Sequence, residues 1–357
     1  MLSSACASSI VQGWSGPTVD DGIVYIGTMQ GKLSAYDSSN GDPKWQKSLQ
    51  VPVQSGFNFG CAPGAGAKPL AFYGNAAADS SSVFIGSYDA TLGGTIYALN
   101  KTTGETRWQY PRADRIGSIA GSVAVSQGTV YFGSSDGKLY ALSASNGLEQ
   151  WTYSTGNKIW DTPAVVGNRV YFGSFDRNLY ALNAADGSLV WKFETEGAIT
   201  ADPLVVNGTV YVGSFDKHLY AVDTATGKAR WSFQADGWFW SAPALSGNTL
   251  IAGNLDGKVY ALDAATGNLL WKYETKGAVR PSPAVSGDTV VVASEDKNLY
   301  YLKASTGAFI RATPIGVPIL SSLTIQKGLV YVYTGQGLLI AFNAETGTRV
   351  WEASTNG

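Results

Sequence analysis

The segment "GSFDRNLYALNAADGSLVW" at residues 173–191 returns almost unchanged at residues 213–231 as "GSFDKHLYAVDTATGKARW". A repeat whose period lies between about 20 and 50 residues is typical of stacked supersecondary units. One such unit cannot bury both of its apolar faces by itself, so repeat proteins stack several copies side by side. The fold class therefore depends on how many copies the chain contains.

A marker residue that follows a turn glycine after three intervening residues counts the copies. Consecutive markers are 63, then 43 and then five times 40 residues apart, which leaves no segment for a second domain. The copies number eight, with an arginine in the seventh place: the markers are Trp45, Trp108, Trp151, Trp191, Trp231, Trp271, Arg311 and Trp351.

Each copy contains four strand-like runs separated by turn residues. In the fourth copy the runs are "TPAVV", "RVYFGSF", "LYALNA" and "SLVWKFE". The Asn, Asp and Gly residues between them tolerate the positive φ that tight hairpins need. The first three runs are almost continuously apolar, which indicates strands buried on both faces, whereas the fourth alternates. This pattern is typical of a propeller blade packed between two others.

We therefore predict an all-β fold, a single eight-bladed β-propeller of four-stranded antiparallel blades over residues 1–357. An inserted loop at residues 51–67 separates the first two blades. The predicted blades cover residues 13–50, 68–112, 118–155, 159–195, 199–235, 239–275, 279–315 and 319–355.

Composition restricts the possible functions. Only 15% of the residues are charged and the net charge is −2, so the chain lacks the basic surface of a nucleic-acid-binding protein. Its apolar runs are too short to cross a bilayer, so we expect no transmembrane segment. We also expect a globular monomer. The one histidine, His218, occupies a turn, which excludes Ser-His and Cys-His catalysis and histidine-metal sites.

The stretch from the third to the fourth run has a recognisable form. "ALNAADGSLVW" (181–191), "AVDTATGKARW" (221–231) and "ALDAATGNLLW" (261–271) resemble the tryptophan-docking motif of quinoprotein-type, or PQQ-like, propellers, in which Ala-x-Asp is followed by Thr-Gly and Trp. "YLKASTGAFIR" (301–311) loses both the Ala and the Trp. The resemblance implies that each marker Trp lies across the glycine turn of a neighbouring blade and has a structural role.

The resemblance covers the whole chain but leaves several functions open. In size and architecture the chain is most similar to BamB-type outer-membrane assembly propellers, which implies a non-catalytic periplasmic or extracellular scaffold that binds a protein partner and needs no cofactor or metal. One alternative is a ligand-sensing propeller domain of a larger receptor. Another is a dehydrogenase for alcohols or sugars that uses pyrroloquinoline quinone (PQQ) and Ca²⁺.

The dehydrogenase alternative assigns roles to particular residues by resemblance. Trp160 or Trp240 would form the floor under the quinone, Arg280 would lie near its carboxylates, and Asp161 or Asp202 would be the base. Against this alternative, the chain has no adjacent Cys pair, no Cys-x-x-Cys-His haem site and no long insertion to build a cofactor chamber.

Five aspartates recur in the turn between the second and third runs, and each is followed closely by a Lys or Arg. A ring of carboxylates would suggest a metal, but the turn position and the neighbouring cations favour solvated turn residues. The aspartates are Asp136, Asp176, Asp216, Asp256 and Asp296.

The segments that lead into the first strand of each blade, called axial segments below, are expected nearest the propeller axis. Aligned on the Pro of "S-x-P-A", the place three residues earlier is rich in tryptophan, and we predict that Trp160, Trp240 and Arg280 converge at the channel mouth. These side chains either plug the channel as packing or form a funnel for a flat, sugar-like or peptide ligand. The candidate ligand-binding residues are Trp14, Trp160, Asp161, Thr200, Asp202, Trp238, Phe239, Trp240 and Arg280.

Loop lengths indicate where a partner binds. The longest insertions belong to the axial-segment side of blades one to three, so we expect the partner on the funnel face or rim near these blades. Cys6 and Cys61 lie on the same side, and either form a disulfide, which implies an oxidising compartment, or remain free thiols. "LSSAC" at residues 2–6 only loosely resembles a lipobox, so lipidation of Cys6 also stays open. The family resemblance suggests an exported protein whose signal is removed or replaced by Met1.

Overall fold

The computed structural model describes residues 15–50, 70–112 and 115–356. Within these ranges the chain forms eight sheets, each of four sequential antiparallel strands. The predicted eight-bladed propeller is therefore confirmed. None of the described residues belongs to a helix that is long and apolar enough to cross a membrane. Trp14, Cys6, Cys61 and the inserted loop over residues 51–67 lie outside the described residues.

The first four blades comprise strands β1 to β16. Their bounds are β1 Thr18–Asp20, β2 Ile23–Gly27, β3 Lys32–Asp37 and β4 Pro43–Ser48 in blade one; β5 Ala77–Ala78, β6 Ser82–Gly86, β7 Ile96–Asn100 and β8 Thr106–Tyr110 in blade two; β9 Ala124–Ser126, β10 Thr129–Gly133, β11 Lys138–Ser143 and β12 Glu149–Ser154 in blade three; and β13 Ala164–Val166, β14 Arg169–Gly173, β15 Asn178–Asn183 and β16 Leu189–Glu194 in blade four.

The last four blades comprise strands β17 to β32. Their bounds are β17 Leu204–Val206, β18 Thr209–Gly213, β19 His218–Asp223 and β20 Ala229–Gln234 in blade five; β21 Ala244–Ser246, β22 Thr249–Gly253, β23 Lys258–Asp263 and β24 Leu269–Glu274 in blade six; β25 Ala284–Ser286, β26 Thr289–Ala293, β27 Asn298–Lys303 and β28 Phe309–Pro314 in blade seven; and β29 Thr324–Gln326, β30 Leu329–Tyr333, β31 Leu338–Asn343 and β32 Arg349–Ser354 in blade eight.

The hydrophobic core lies between neighbouring blades. In one such layer Tyr171 and Leu179 of blade four pack with Val210 and Val212 of blade five, and all four are buried. The second and third strands of each blade are buried on both faces because each face meets another blade. The sequence pattern of continuous apolar runs therefore follows from the ring arrangement.

The marker tryptophans join each blade to the next. A Cβ added at Gly227 would lie 2.7 Å from the ring of Trp191, so the approach of the indole requires glycine there. Each indole Nε1 donates a hydrogen bond of 2.9–3.1 Å to a backbone carbonyl of the neighbouring blade. The pairs are Trp45 with Lys101, Trp108 with Ala144, Trp151 with Ala184, Trp191 with Thr224, Trp231 with Ala264, Trp271 with Ala304 and Trp351 with Ser38.

Candidate functional site

The axial segments meet around the propeller axis through the residue directly before the aligned proline. The backbone N–H of Asn75 donates to Ser122 Oγ at 2.8 Å, and that of Thr162 donates to Asp202 Oδ1 at 2.6 Å. Small side chains hold this place in every blade, because eight chain segments approach one another there. We call these residues the girdle: Gly16, Asn75, Ser122, Thr162, Asp202, Ala242, Ser282 and Ser322. Apart from Asp202, sequence reasoning missed them, although their constant small size was visible.

A cavity of about 90 Å³ opens above the girdle at the channel mouth. The structure brings Trp160, Trp240 and Arg280 together in its wall, with Thr200 and Asp202 beside them. Tyr73 also lines the cavity. The sequence alignment omitted Tyr73, which lies three residues before Ala76, the residue of blade two at the place of the reference proline.

Two of the predicted site residues lie in the core instead of the mouth. Phe239 is fully buried against Gly213, where an added Cβ would be 2.4 Å from the Phe239 Cβ. Asp161 is also fully buried, and one of its carboxylate oxygens accepts a hydrogen bond from the backbone N–H of Gly173. Asp161 follows Trp160 and Phe239 precedes Trp240. Neighbouring side chains in extended backbone point in opposite directions, so these two point away from the mouth. We therefore assign Asp161 and Phe239 a structural role in place of the ligand-binding role predicted from the sequence.

The carboxyl groups of Asp161 and the half-buried Asp202 have raised pKa values. Desolvation raises the pKa of Asp161 well above its ordinary value, and the charge of Asp202 adds to the shift. Burial raises the pKa of Asp202 to about 6, against hydrogen bonds from Thr162 that lower it. Within the described residues no Lys, Arg or His forms an ion pair with Asp202.

Aromatic side chains extend from the mouth across blades four to six. The ring of Trp160 lies 4.8 Å from that of Phe175, and Phe175 lies 6.2 Å from Phe215. Phe215 is stacked on Trp238 at 4.6 Å and on Trp240 at 5.3 Å. Trp238 remains 43% exposed. We call these five residues the aromatic array.

Sequence reasoning missed the two phenylalanines of the aromatic array. Phe175 and Phe215 come directly before the turn aspartate in "GSFD", a place that holds Ser135, Leu255 and Glu295 in other blades. In the sequence, only this contrast between copies marks the two phenylalanines as unusual. The apolar run directly before them makes them resemble core residues.

Two cations lie on rings of the aromatic array. Lys158 Nζ is 4.1 Å from the centre of the Trp160 ring, and the Arg280 guanidinium is 4.9 Å from that of Trp240. Arg280 Nε also donates to Glu295 Oε1 at 2.9 Å. The charge of Arg280 is therefore compensated within the protein.

The five turn aspartates are structural acceptors, which corrects the expectation of solvated residues. Each accepts a hydrogen bond of 2.6–2.9 Å from a tyrosine hydroxyl of its own blade, and the Asp216 side chain is only 5% exposed. Four of them, Asp136, Asp176, Asp216 and Asp296, also accept a backbone N–H from an axial segment, and Asp136 is nevertheless exposed. Among the cations that follow them, Lys258 alone pairs with its turn aspartate in the described ranges, at 3.6 Å.

The mouth does not fit PQQ with Ca²⁺. A cavity of about 90 Å³ holds on the order of three waters, far less than a three-ring quinone with three carboxylates. No group of three or more His, Cys, Asp or Glu residues in the described part of the chain could hold a metal ion. The carboxylate of Asp161, one of the two proposed bases, is engaged with Gly173 in the core.

The fold and its repeated contacts define an eight-bladed propeller of the PQQ-like repeat class. The chain belongs to the family described as outer membrane protein assembly factor BamB, whose model matches residues 7–158, 92–204, 154–280 and 255–357.

Solved structures with this fold include proteins of different activities. The crystal structure of BamB from Moraxella catarrhalis matches with a TM-score of 0.75 at 20% identity, over 92% of this chain and 93% of that one. The computationally designed Ika8 protein matches with a TM-score of 0.72 at 17% identity, over 93% and 96% of the two chains. Quinohemoprotein alcohol dehydrogenase from Comamonas testosteroni matches with a TM-score of 0.71 at 14% identity, over 91% and 71%.

Among curated proteins, lupanine 17-hydroxylase [cytochrome c] from a Pseudomonas species is 26% identical over 151 residues. These residues are 40% of this chain and 19% of the relative, so the match spans about a fifth of that protein.

Proposed function

We propose that this chain is a non-catalytic, extracytoplasmic propeller that binds a protein partner through its funnel face, the face that carries the axial segments and the aromatic array. The observation that supports this most directly is the array, in which the exposed indole of Trp238 is stacked on Phe215 and two further indoles each carry a cation. Trp, Tyr and Arg dominate the binding energy of protein interfaces. The BamB family and the Moraxella structure, which matches nearly end to end, agree with a scaffold role.

The proposal centres the partner on blades four to seven. The sequence-based expectation of blades one to three rested on long loops, and the longest of these lies outside the described residues. Lys158, Trp160 and Trp238 belong to blades four to six, and Arg280 extends the surface to blade seven.

Chemical cross-linking in the host tests the proposal. We expect Trp238→Ala to lower the yield of cross-links between the funnel face and one defined partner at least tenfold. The matched control is Leu148→Ala, because Leu148 is an equally apolar side chain, 54% exposed, in the turn between β11 and β12. A partner whose cross-links map to the funnel face and persist unchanged in Trp238→Ala would contradict the proposed anchor.

A PQQ-dependent dehydrogenase is the second candidate, because an enzyme, lupanine 17-hydroxylase [cytochrome c], is among the relatives and a quinohemoprotein alcohol dehydrogenase shares the fold. The small volume of the cavity at the mouth, about 90 Å³, argues against an enzyme of this kind. Incubation with PQQ and Ca²⁺, followed by measurement of bound-cofactor absorbance and of dye reduction with alcohols and sugars, decides between the two. Both signals together would favour the enzyme over the scaffold.

A further inference from the structure

Three oxygen acceptors line the channel mouth without a donor that accounts for them. Thr200 Oγ1 and Ser241 Oγ are buried and have no hydrogen-bond partner, and the Thr200 side chain is only 8% exposed. Asp202 presents the third acceptor, a carboxylate that the Thr162 N–H satisfies in part. All three residues line the same cavity. Because an unsatisfied buried polar group costs about 1–3 kcal/mol, the two hydroxyls favour a polar group in the cavity, and the Asp202 carboxylate, which only accepts, selects a donor.

The charge of the mouth favours a cation. Among the described residues, the two charged side chains in its wall are Asp202 and Arg280; Glu295 already compensates Arg280, and Lys158 lies on the ring of Trp160. Asp202 has no cationic partner in the described ranges, so an incoming positive charge would compensate it.

The walls of the mouth suit the apolar stem of such a cation. Trp160 and Trp240 line the cavity, and both rings already carry a cation at 4.1–4.9 Å, which is the separation expected for cation–π contacts. A volume of about 90 Å³ accepts the end of one side chain and excludes a helix or a strand.

We propose that the channel mouth binds one lysine side chain of the protein partner, with the ammonium group on Asp202, Thr200 and Ser241 and the methylene stem against Trp160 and Trp240. An ammonium has three N–H donors, which match the three acceptors. A guanidinium presents five donors in a rigid planar fork, which the small cavity does not match. This inference rests on the proposed function, since it names the group by which the partner is recognised.

A tripeptide titration tests the inference on the full chain. Acetyl-Gly-Lys-Gly-amide is added while the indole N–H resonances of Trp160 and Trp240 are followed by NMR. We expect saturable shifts with the lysine peptide, none with the norleucine peptide, and at least tenfold weaker binding to Asp202→Asn. The matched control is Asp223→Asn, because Asn183 and Asn343 occupy the equivalent turn in blades four and eight. We expect unchanged affinity in this variant.

A second variant and a second peptide make each outcome decisive. Thr200→Val keeps the shape and removes one acceptor, so we expect binding to weaken several-fold even if Asp202→Asn does not fold. Equal binding of the lysine and arginine peptides, or lysine binding that both variants leave intact, overturns the inference. If no peptide binds while Trp238→Ala still removes partner cross-links, the inference is wrong and the proposed function stands.

Discussion

At the scale of single residues, Asp202 makes the stability of the fold depend on pH. Burial raises its pKa from 3.8 to about 6. The folded protein therefore holds this proton more tightly than the unfolded chain, and the resulting stabilisation is complete below about pH 3.8 and lost as the pH rises to about 6. The titratable side chains near it are Asp161, whose own pKa is raised by burial, and Arg280, and the replacement of Asp202 alone leaves both in place.

Replacing Asp202 by Asn should remove this dependence. As the pH rises from 4 to 7, we expect the free energy of unfolding of Asp202→Asn to increase relative to that of the unmodified protein by up to about 3 kcal/mol. Urea unfolding at the two pH values measures it. Asp223→Asn provides the control, since a hydrogen bond from Arg230 lowers the pKa of Asp223 and gives the opposite sign. Parallel curves for Asp202→Asn and the unmodified protein would contradict the assignment.

Alternation of side chains explains which site residues the sequence could predict. The alignment on proline found Trp160, Trp240 and Arg280 because they share one place in three repeats. It also included Asp161 and Phe239, which are direct neighbours of two of these residues and therefore face the core. Phe175 and Phe215 escaped because their rings contact the tryptophans of the array from a different turn, and no spacing along the chain encodes that contact.

At the scale of elements, blade seven differs from the others in one pair of residues that face each other on its third and fourth strands. In other blades a buried Ala of the third strand faces the marker Trp, as Ala181 faces Trp191. In blade seven Tyr301 faces Arg311, and Tyr301 is fully buried. Arg311 covers Gly347 with its aliphatic stem and donates to the Thr346 carbonyl. The tyrosine therefore supplies ring area that the arginine lacks.

We expect the two substitutions in blade seven to compensate each other. Tyr301→Ala alone should destabilise by about 3–5 kcal/mol through an unfilled cavity, and Arg311→Trp alone by about 1–3 kcal/mol through overpacking against Tyr301. The double variant, which restores the pair of the other blades, should lose much less stability than the sum of the two single losses. A double-mutant cycle of unfolding free energies measures the coupling. Additive losses would show that Tyr301 and Arg311 act independently.

At the scale of the whole molecule, the ring closes without a strand shared between blades one and eight in the described residues, since β1–β4 and β29–β32 form separate sheets. The contacts that close the ring are nevertheless of the same kind as those between the other neighbouring blades. Trp351 Nε1 and the Tyr331 hydroxyl both donate to the Ser38 carbonyl, at 3.0 and 3.1 Å. Tyr36 donates to the Ser354 carbonyl at 3.2 Å. The number of blades and the packing of blade eight on blade one could be predicted from the repeat, whereas these individual hydrogen bonds could not, because they join residues about 300 positions apart.

The closing interface differs from the others in its covalent connection, and this predicts a difference in dynamics. Blades four and five are joined by a short axial segment, so a weakened interface between them re-forms readily, whereas blades eight and one are joined only through the whole ring. We expect Trp191→Ala and Trp351→Ala each to destabilise by about 3–5 kcal/mol. Hydrogen exchange followed by mass spectrometry should then show faster exchange throughout β1–β4 and β29–β32 in Trp351→Ala, but only near the altered contact in Trp191→Ala. Equally local effects in the two variants would show that the ring has no weaker seam.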